Sequence, residues 1–159
     1  MQKGSLNLIE QAAHKIDNET LSKLIIPLKR ALYTHNEFVI RRVLSLIQKL
    51  ARANESAIGI LLVPYFKQLL PIFNILKERY ERKLNQHEQD CYVIDDYQTD
   101  ESSDLLRLIN QTLVVLEQSG GQDAFINIKY LIPTYEQQAD IKQLSTAQLN
   151  MAVKPILDL

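Results

Sequence analysis

Leu24-Ile25-Ile26-Pro27-Leu28-Lys29-Arg30-Ala31-Leu32 and Leu62-Val63-Pro64-Tyr65-Phe66-Lys67-Gln68-Leu69-Leu70 are one phrase written twice. Pro27 and Pro64 stand 37 residues apart, each with a β-branched residue before it and a lysine soon after. Self-similarity at that spacing is the mark of a helical repeat, close to the ~40 residues of HEAT and armadillo units. One such unit cannot bury its apolar stripe alone, so it stacks on its neighbour. The expected fold is therefore all-α, a short armadillo/HEAT-like α-solenoid (an α-α superhelix).

Outward from the repeat, apolar residues recur at spacings of three and four. Leu21, Leu24, Ile25, Leu28 and Leu32 form one helix face, with Pro27 expected to kink the helix or open its last turns. Tyr33-Thr34-His35-Asn36 reads as a turn. A second helix from about Glu37 carries Val39, Val43, Leu46, Ile47 and Leu50. A third, capped by Asn54 or Ser56, runs through Leu61, Leu62, Tyr65, Leu69 and Ile72 to about Leu84, interrupted by Pro64 and Pro71. Periodicity then stops, and residues 85–103 read as a long acidic loop, of a length that is usually functional or disordered. Ser102 or Ser103 is expected to cap a helix with Leu105, Leu108, Ile109, Leu113 and Leu116 on one side. Gly120-Gly121 ends that helix, one glycine being free to take the left-handed cap. Residues 123–131 make a shorter helix closed by Pro133, and Phe125, Ile128 and Tyr130 are expected to pack back on the preceding one. Before the repeat, residues 6–13 read as a short helix behind Ser5, and residues 17–20 as a polar break. Residues 1–136 thus form the helical domain, and residues 137–159 a C-terminal extension, partly helical after Ser145.

The totals narrow the class. Four Gly, five Pro and no Trp among 159 residues speak against a turn-rich all-β fold. The single cysteine, Cys91, cannot form an intramolecular disulfide and suits a reducing compartment. The first residues lack the apolar run of a signal peptide. The longest apolar run, residues 60–63, is far short of the ~20 residues that span a bilayer, so no membrane is expected as a partner. The net charge of −1 hides an asymmetry. Residues 1–90 hold 14 Lys/Arg and 9 Asp/Glu, against 4 and 10 in residues 91–159. Such a chain can meet an acidic surface with its basic half or pair head to tail, and the plain alternative is two solvated faces.

Local chemistry is sparse. Gly120-Gly121 follows a helix and not a strand, which fits a helix stop and not a phosphate loop. His14, His35 and His87 stand apart, without the i,i+4 pairing of a helical metal site. Counted from Asp95, a calcium-hand loop would need Gly at Asp100 and Glu at Leu106. Cys91 has only His87 and Glu88 near it in sequence. No catalytic residue, cofactor or metal is expected. The basic residues alternate with glutamates and do not cluster with aromatics, so nucleic acid is not the expected partner either.

One further string, Gly120-Gly121-Gln122-Asp123-Ala124-Phe125-Ile126-Asn127-Ile128-Lys129-Tyr130-Leu131-Ile132-Pro133-Thr134-Tyr135-Glu136, is too particular for composition to account for. It closely resembles the C-terminal signature of the parkin co-regulated gene product family. Residues 24–32, residues 62–77 with Val63-Pro64-Tyr65 and Leu70-Pro71-Ile72-Phe73-Asn74-Ile75, and residues 104–121 are similar to the same family, in order. The resemblance covers roughly residues 4–136. It implies an armadillo/HEAT-like structural protein of the cytoplasmic cytoskeleton, in ciliary and flagellar axonemes. There it sits at the inner junction of doublet microtubules, touching α/β-tubulin and neighbouring junction proteins. It also implies that an N-terminal arm of longer members is lacking here, and that residues 137–159 pass the point where typical members stop. The expectation is a non-enzymatic tubulin-binding protein; the alternative is an adaptor of the same fold for a soluble partner away from the axoneme. Arg41, Arg42, Lys49, Arg52, Lys77, Arg79, Arg82 and Lys83 are the expected contact residues, forming one patch over two successive repeats.

Overall fold

A computed structural model describes residues 16–53, 57–89 and 96–137. All secondary structure among them is helical: α1 (Asn18–Leu32), α2 (Glu37–Arg52), α3 (Ala57–Leu62), a 3₁₀ turn (Val63–Tyr65), α4 (Phe66–Gln89), α5 (Asp96–Ser119) and α6 (Ala124–Leu131). The expected helix over residues 6–13, the caps Asn54 and Ser56, and the expected helix after Ser145 lie outside the described residues.

Side-chain chemistry sets the helix starts. Asp17 accepts from the backbone N–H of Thr20 at 2.8 Å and caps α1. Asn36 accepts from the N–H groups of Phe38 and Val39 and caps α2. Each satisfies donors that a helix leaves unpaired in its first turn. Between them His35 turns the chain with a φ of 58°. Pro27 does not end α1, which continues to Leu32 with the proline ring exposed. Pro64 does break its helix, at the 3₁₀ turn, whereas Pro71 is carried inside α4. The stretch Ala57–Gln86 is apolar enough to span a bilayer by length and mean hydropathy. Ile58, Leu62, Phe66, Leu69, Phe73, Leu76 and Tyr80 within it are core side chains, which accounts for that composition.

The two copies of the repeated phrase lie in helices and bury matching positions. Leu21, Ile25 and Leu32 are buried on α1, and Ile58, Leu62 and Leu69, each 37 positions later, are buried on α3 and α4. Leu28 is buried where its counterpart Tyr65 is half-buried. The helices pack accordingly: α1 on α2, α4 on α5, α1 on α4 and α2 on α5, with α6 placed against both α4 and α5. Helix α5 also meets α3 and so touches most of the fold. Gly59 makes that contact possible, since a Cβ there would fall 2.5 Å from the Cβ and the carbonyl oxygen of Ser119.

Three expectations need correction. Residues 85–103 are not one long loop, because α4 runs to Gln89 and α5 begins at Asp96. No glycine or proline interrupts residues 72–119, and a helix end that meets solvent needs no apolar periodicity. Ser102 and Ser103 therefore do not cap α5; Ser102 is buried within it. Tyr130 does not pack on α5 but is 81% exposed, on the far side of α6 from the buried Ile128. On α2 the buried stripe is Ile40, Val43, Leu44, Ile47, Leu50 and Ala51, while Val39 and Leu46 are half-buried beside it.

Candidate functional site

The basic residues separate into neighbourhoods. Arg79, Arg82 and Lys83, with Ile75 and Gln86, line a groove of about 340 Å³ on the C-terminal half of α4. The α1–α2 turn and the first turn of α2 reach two of these side chains. Arg79 donates to Nδ1 of His35, and Lys83 pairs with Glu37 at 3.1 Å. The His35 conformation aims the ring at α4, so the turn residue and the groove belong together. Tyr80 lies beneath, 1% exposed, with the Lys83 ammonium 5.1 Å from its ring centre. Burial, with Glu37 beside it, pushes the Tyr80 phenol up to about 12. Arg41 joins this end of the molecule by donating to the carbonyl oxygen of Glu101 on α5 at 3.0 Å.

The others lie elsewhere. Arg42 is exposed, its guanidinium 4.9 Å over the ring of Phe38. Lys49 is exposed further along α2. Arg52 lines a larger groove, of about 730 Å³, between α2 and α5 with Gln48, Arg107, Asn110, Gln111 and Gln118 over an apolar floor that includes Val114 and Val115. Lys77 sits two residues from Arg79, hence ~200° round the helix. It reaches Thr134 at 3.3 Å and Glu81 at 3.9 Å, on the side of α4 that meets α6. The eight residues thus do not form one continuous patch. Arg79, Arg82 and Lys83 are brought together, Arg41 stands near them, and Lys77 and Arg52 face other surfaces.

Partners within the chain temper the groove's charge: Glu37 for Lys83, and Glu78 for Arg82 at 3.9 Å. Exposed pairs of this kind contribute little to stability, about 0–1 kcal/mol, and can exchange partners readily. The groove can hold a carboxylate-bearing chain, with Ile75 (46% exposed) as an apolar foothold. Among the described residues no group of three or more His, Cys, Asp or Glu could hold a metal ion. Sequence reasoning missed His35 and Glu37 as part of this site, because their contact with α4 spans more than 40 residues. The positive φ of His35 leaves no trace in periodicity.

The glycine-rich signature builds something different. Gly121 takes a φ of 80° and turns the chain out of α5. Gly120 lets that turn close, since a Cβ there would meet Ala124 Cβ at 2.6 Å and the Leu116 carbonyl oxygen at 2.8 Å. Helix α6 then lays Ala124 and Ile128 into the core, and Pro133 starts a turn that brings Tyr135 back. The Tyr135 hydroxyl donates to the carboxylate of Glu117 on α5, and both side chains are buried. Burial first, and the carboxylate second, raise the Tyr135 phenol above its ordinary range. Lys129 donates to the Tyr135 carbonyl oxygen at 2.8 Å, and the Phe125 ring centre lies 6.3 Å from that of Tyr135.

Among the described residues the body is helical, with a packed glycine turn at the α5–α6 junction and an exposed basic groove on α4. The sequence profile of the Parkin co-regulated protein family matches residues 1–137. A curated relative, the Parkin coregulated gene protein homolog of Mus musculus, is 38% identical over 135 residues, which is 85% of this chain and 52% of the mouse protein. The chain belongs to the Parkin co-regulated protein family, and it spans about half the length of that relative.

Proposed function

We propose that this protein is a non-enzymatic structural component of the ciliary and flagellar axoneme. It binds α/β-tubulin at the inner junction of doublet microtubules, beside neighbouring junction proteins. The family match across residues 1–137 carries this reading. Two features of the molecule support it. The pairing of α1 with α2 and of α4 with α5 is compatible with a short armadillo/HEAT-like solenoid, a form that offers broad rigid surfaces. The groove of Arg79, Arg82 and Lys83, with Arg41 near it, suits the acidic outer surface of tubulin.

Co-pelleting with microtubules across a salt series tests the proposal. Sedimentation with microtubules that weakens as salt rises is expected, because exposed charges act over ~8 Å at physiological ionic strength. A protein that stays in the supernatant at low salt would refute it. The second reading, an adaptor for a soluble partner, is favoured by the groove between α2 and α5, whose amides and Arg52 can bind a polypeptide segment. Absence of pelleting together with capture of a soluble partner, lost on Asn110→Ala/Gln111→Ala, would select it.

A further inference from the structure

The groove between α2 and α5 has an apolar floor and a rim of amides. Val115 is buried in the floor, with Leu106 and Val114 half-buried beside it. On the rim, Asn110, Gln111 and Gln118 of α5 are exposed, and Gln48 joins them from α2. A primary amide carries both donors and an acceptor, and so does each unit of a peptide backbone. A row of amides therefore matches a polypeptide main chain whatever its side chains are.

Gln48 is oriented in advance. The buried Thr112 hydroxyl donates its proton to the Leu108 carbonyl oxygen at 2.7 Å, so it accepts from Gln48 Nε2 at 2.9 Å. That fixes the amide and leaves Gln48 Oε1 as an acceptor for a peptide N–H. Length agrees. From Ser103 to Gln118 the groove follows α5 for ~22 Å, at ~1.5 Å per residue. An extended chain advances ~3.3–3.6 Å per residue, so about six residues fill it.

Charge says which chain. Among the described residues that line the groove, Arg52 and Arg107 are cationic and none is acidic. Arg107 pairs with Asp104 at 2.8 Å, but that pair is exposed and of a kind that an incoming carboxylate can replace. We propose that the α2–α5 groove binds an acidic segment of a partner polypeptide in extended form. The amides hold its backbone, Arg52 and Arg107 its carboxylates, and the valine floor an apolar side chain between them. The inference rests on the adaptor reading above and names the chemistry of its partner; it does not depend on the tubulin contact proposed for α4.

The test uses short chains of the random copolymer of glutamate and tyrosine, which is acidic and carries no single sequence. Polyacrylate of matched charge is the comparison, since it has the carboxylates without peptide units. NMR on the isotope-labelled full chain reads the side-chain amide signals of Asn110, Gln111 and Gln118. The copolymer is expected to shift them, and polyacrylate to shift them several-fold less. Asn110→Ala/Gln111→Ala should weaken copolymer binding ~10-fold, as loss of two hydrogen bonds would. Arg52→Glu should weaken it and flatten its salt dependence, while Arg79→Glu/Arg82→Glu should leave the amide shifts as they are. Amide signals that do not move would overturn the proposal. So would shifts that polyacrylate equals, making the groove a reader of charge alone, or shifts lost in Arg79→Glu/Arg82→Glu, which would seat the polymer on α4. The adaptor reading is judged apart from this, by capture of a soluble partner.

Discussion

The two ends of the molecule are held in opposite ways. At the α5–α6 end, side chains meet with no slack: Gly59 against Ser119, Gly120 against Ala124, and Tyr135 on a buried Glu117. At the other end, Arg79, Arg82 and Lys83 stand in an open groove, joined to His35, Glu78 and Glu37 by contacts that water reaches. The string that best marks the family therefore builds a packed corner, while the surface proposed to meet tubulin is made of residues common on any helix. A sequence signature can report where a fold tolerates least change without marking where it binds.

Substitutions can break or sharpen that contrast. The largest effect is expected from Ile128→Ala, which removes a fully buried side chain at α6 and should cost about 2–5 kcal/mol, read by denaturant melts. Tyr135→Phe comes next. It leaves the buried Glu117 carboxylate without its donor and should cost about 1–3 kcal/mol with the helical content unchanged. Gly59→Ala should cost a similar ~1–3 kcal/mol through overpacking, since both a side-chain and a backbone atom of Ser119 stand 2.5 Å from the new methyl. If any of these leaves the melting curve in place, the packed corner is not as described.

The groove should behave in reverse. Arg79→Glu/Arg82→Glu is expected to change stability by no more than about 0.5 kcal/mol, as exposed substitutions usually do, yet to reduce microtubule pelleting at low salt. The pH response is smaller again. The folded-state value of Tyr80 is raised to about 12, above the ordinary ~10. Its contribution to stability is thus fully present below pH ~10 and lost as pH rises through about 12. Melts between pH 9 and 12 should show this decline, reduced in Tyr80→Phe; identical profiles for the two proteins would contradict it.

Much of the fold was legible in the sequence because it is written in local spacing. The spacing foretold the burial of Leu21, Ile25, Leu28 and Leu32 on α1 and of Leu62, Leu69 and Ile72 on α3–α4, though Leu24, Leu61 and Tyr65 are only half-buried and Ile58, Phe66 and Leu70 went unnamed; Gly120-Gly121 marked the end of α5. What escaped was set by distance or by solvent. The polar turns at the end of α4 and the start of α5 carry no apolar stripe to betray a helix. Tyr130 shares its type and helix with core residues, and only the direction of α6 in the fold exposes it. The groove was half legible: Arg79, Arg82 and Lys83 were visible as neighbours on one helix, but the turn that faces them was not. Their grouping apart from Lys77 and Arg52 follows from helix rotation and tertiary packing, which a charge count does not contain.

The pairing of α2 with α5 has a consequence for how the chain is made. Gln48 donates to Thr112 across 64 positions of sequence, at 2.9 Å. Ribosomes add ~5–20 residues per second, so α2 waits roughly 3–13 s between its own synthesis and that of the helix that covers it. During that interval Ile40, Val43, Leu44 and Ile47 lack the cover that α5 gives them. The order of synthesis thus makes α5 the piece that covers α2, and a nascent chain stalled before it would present the inner face of α2 to the cell.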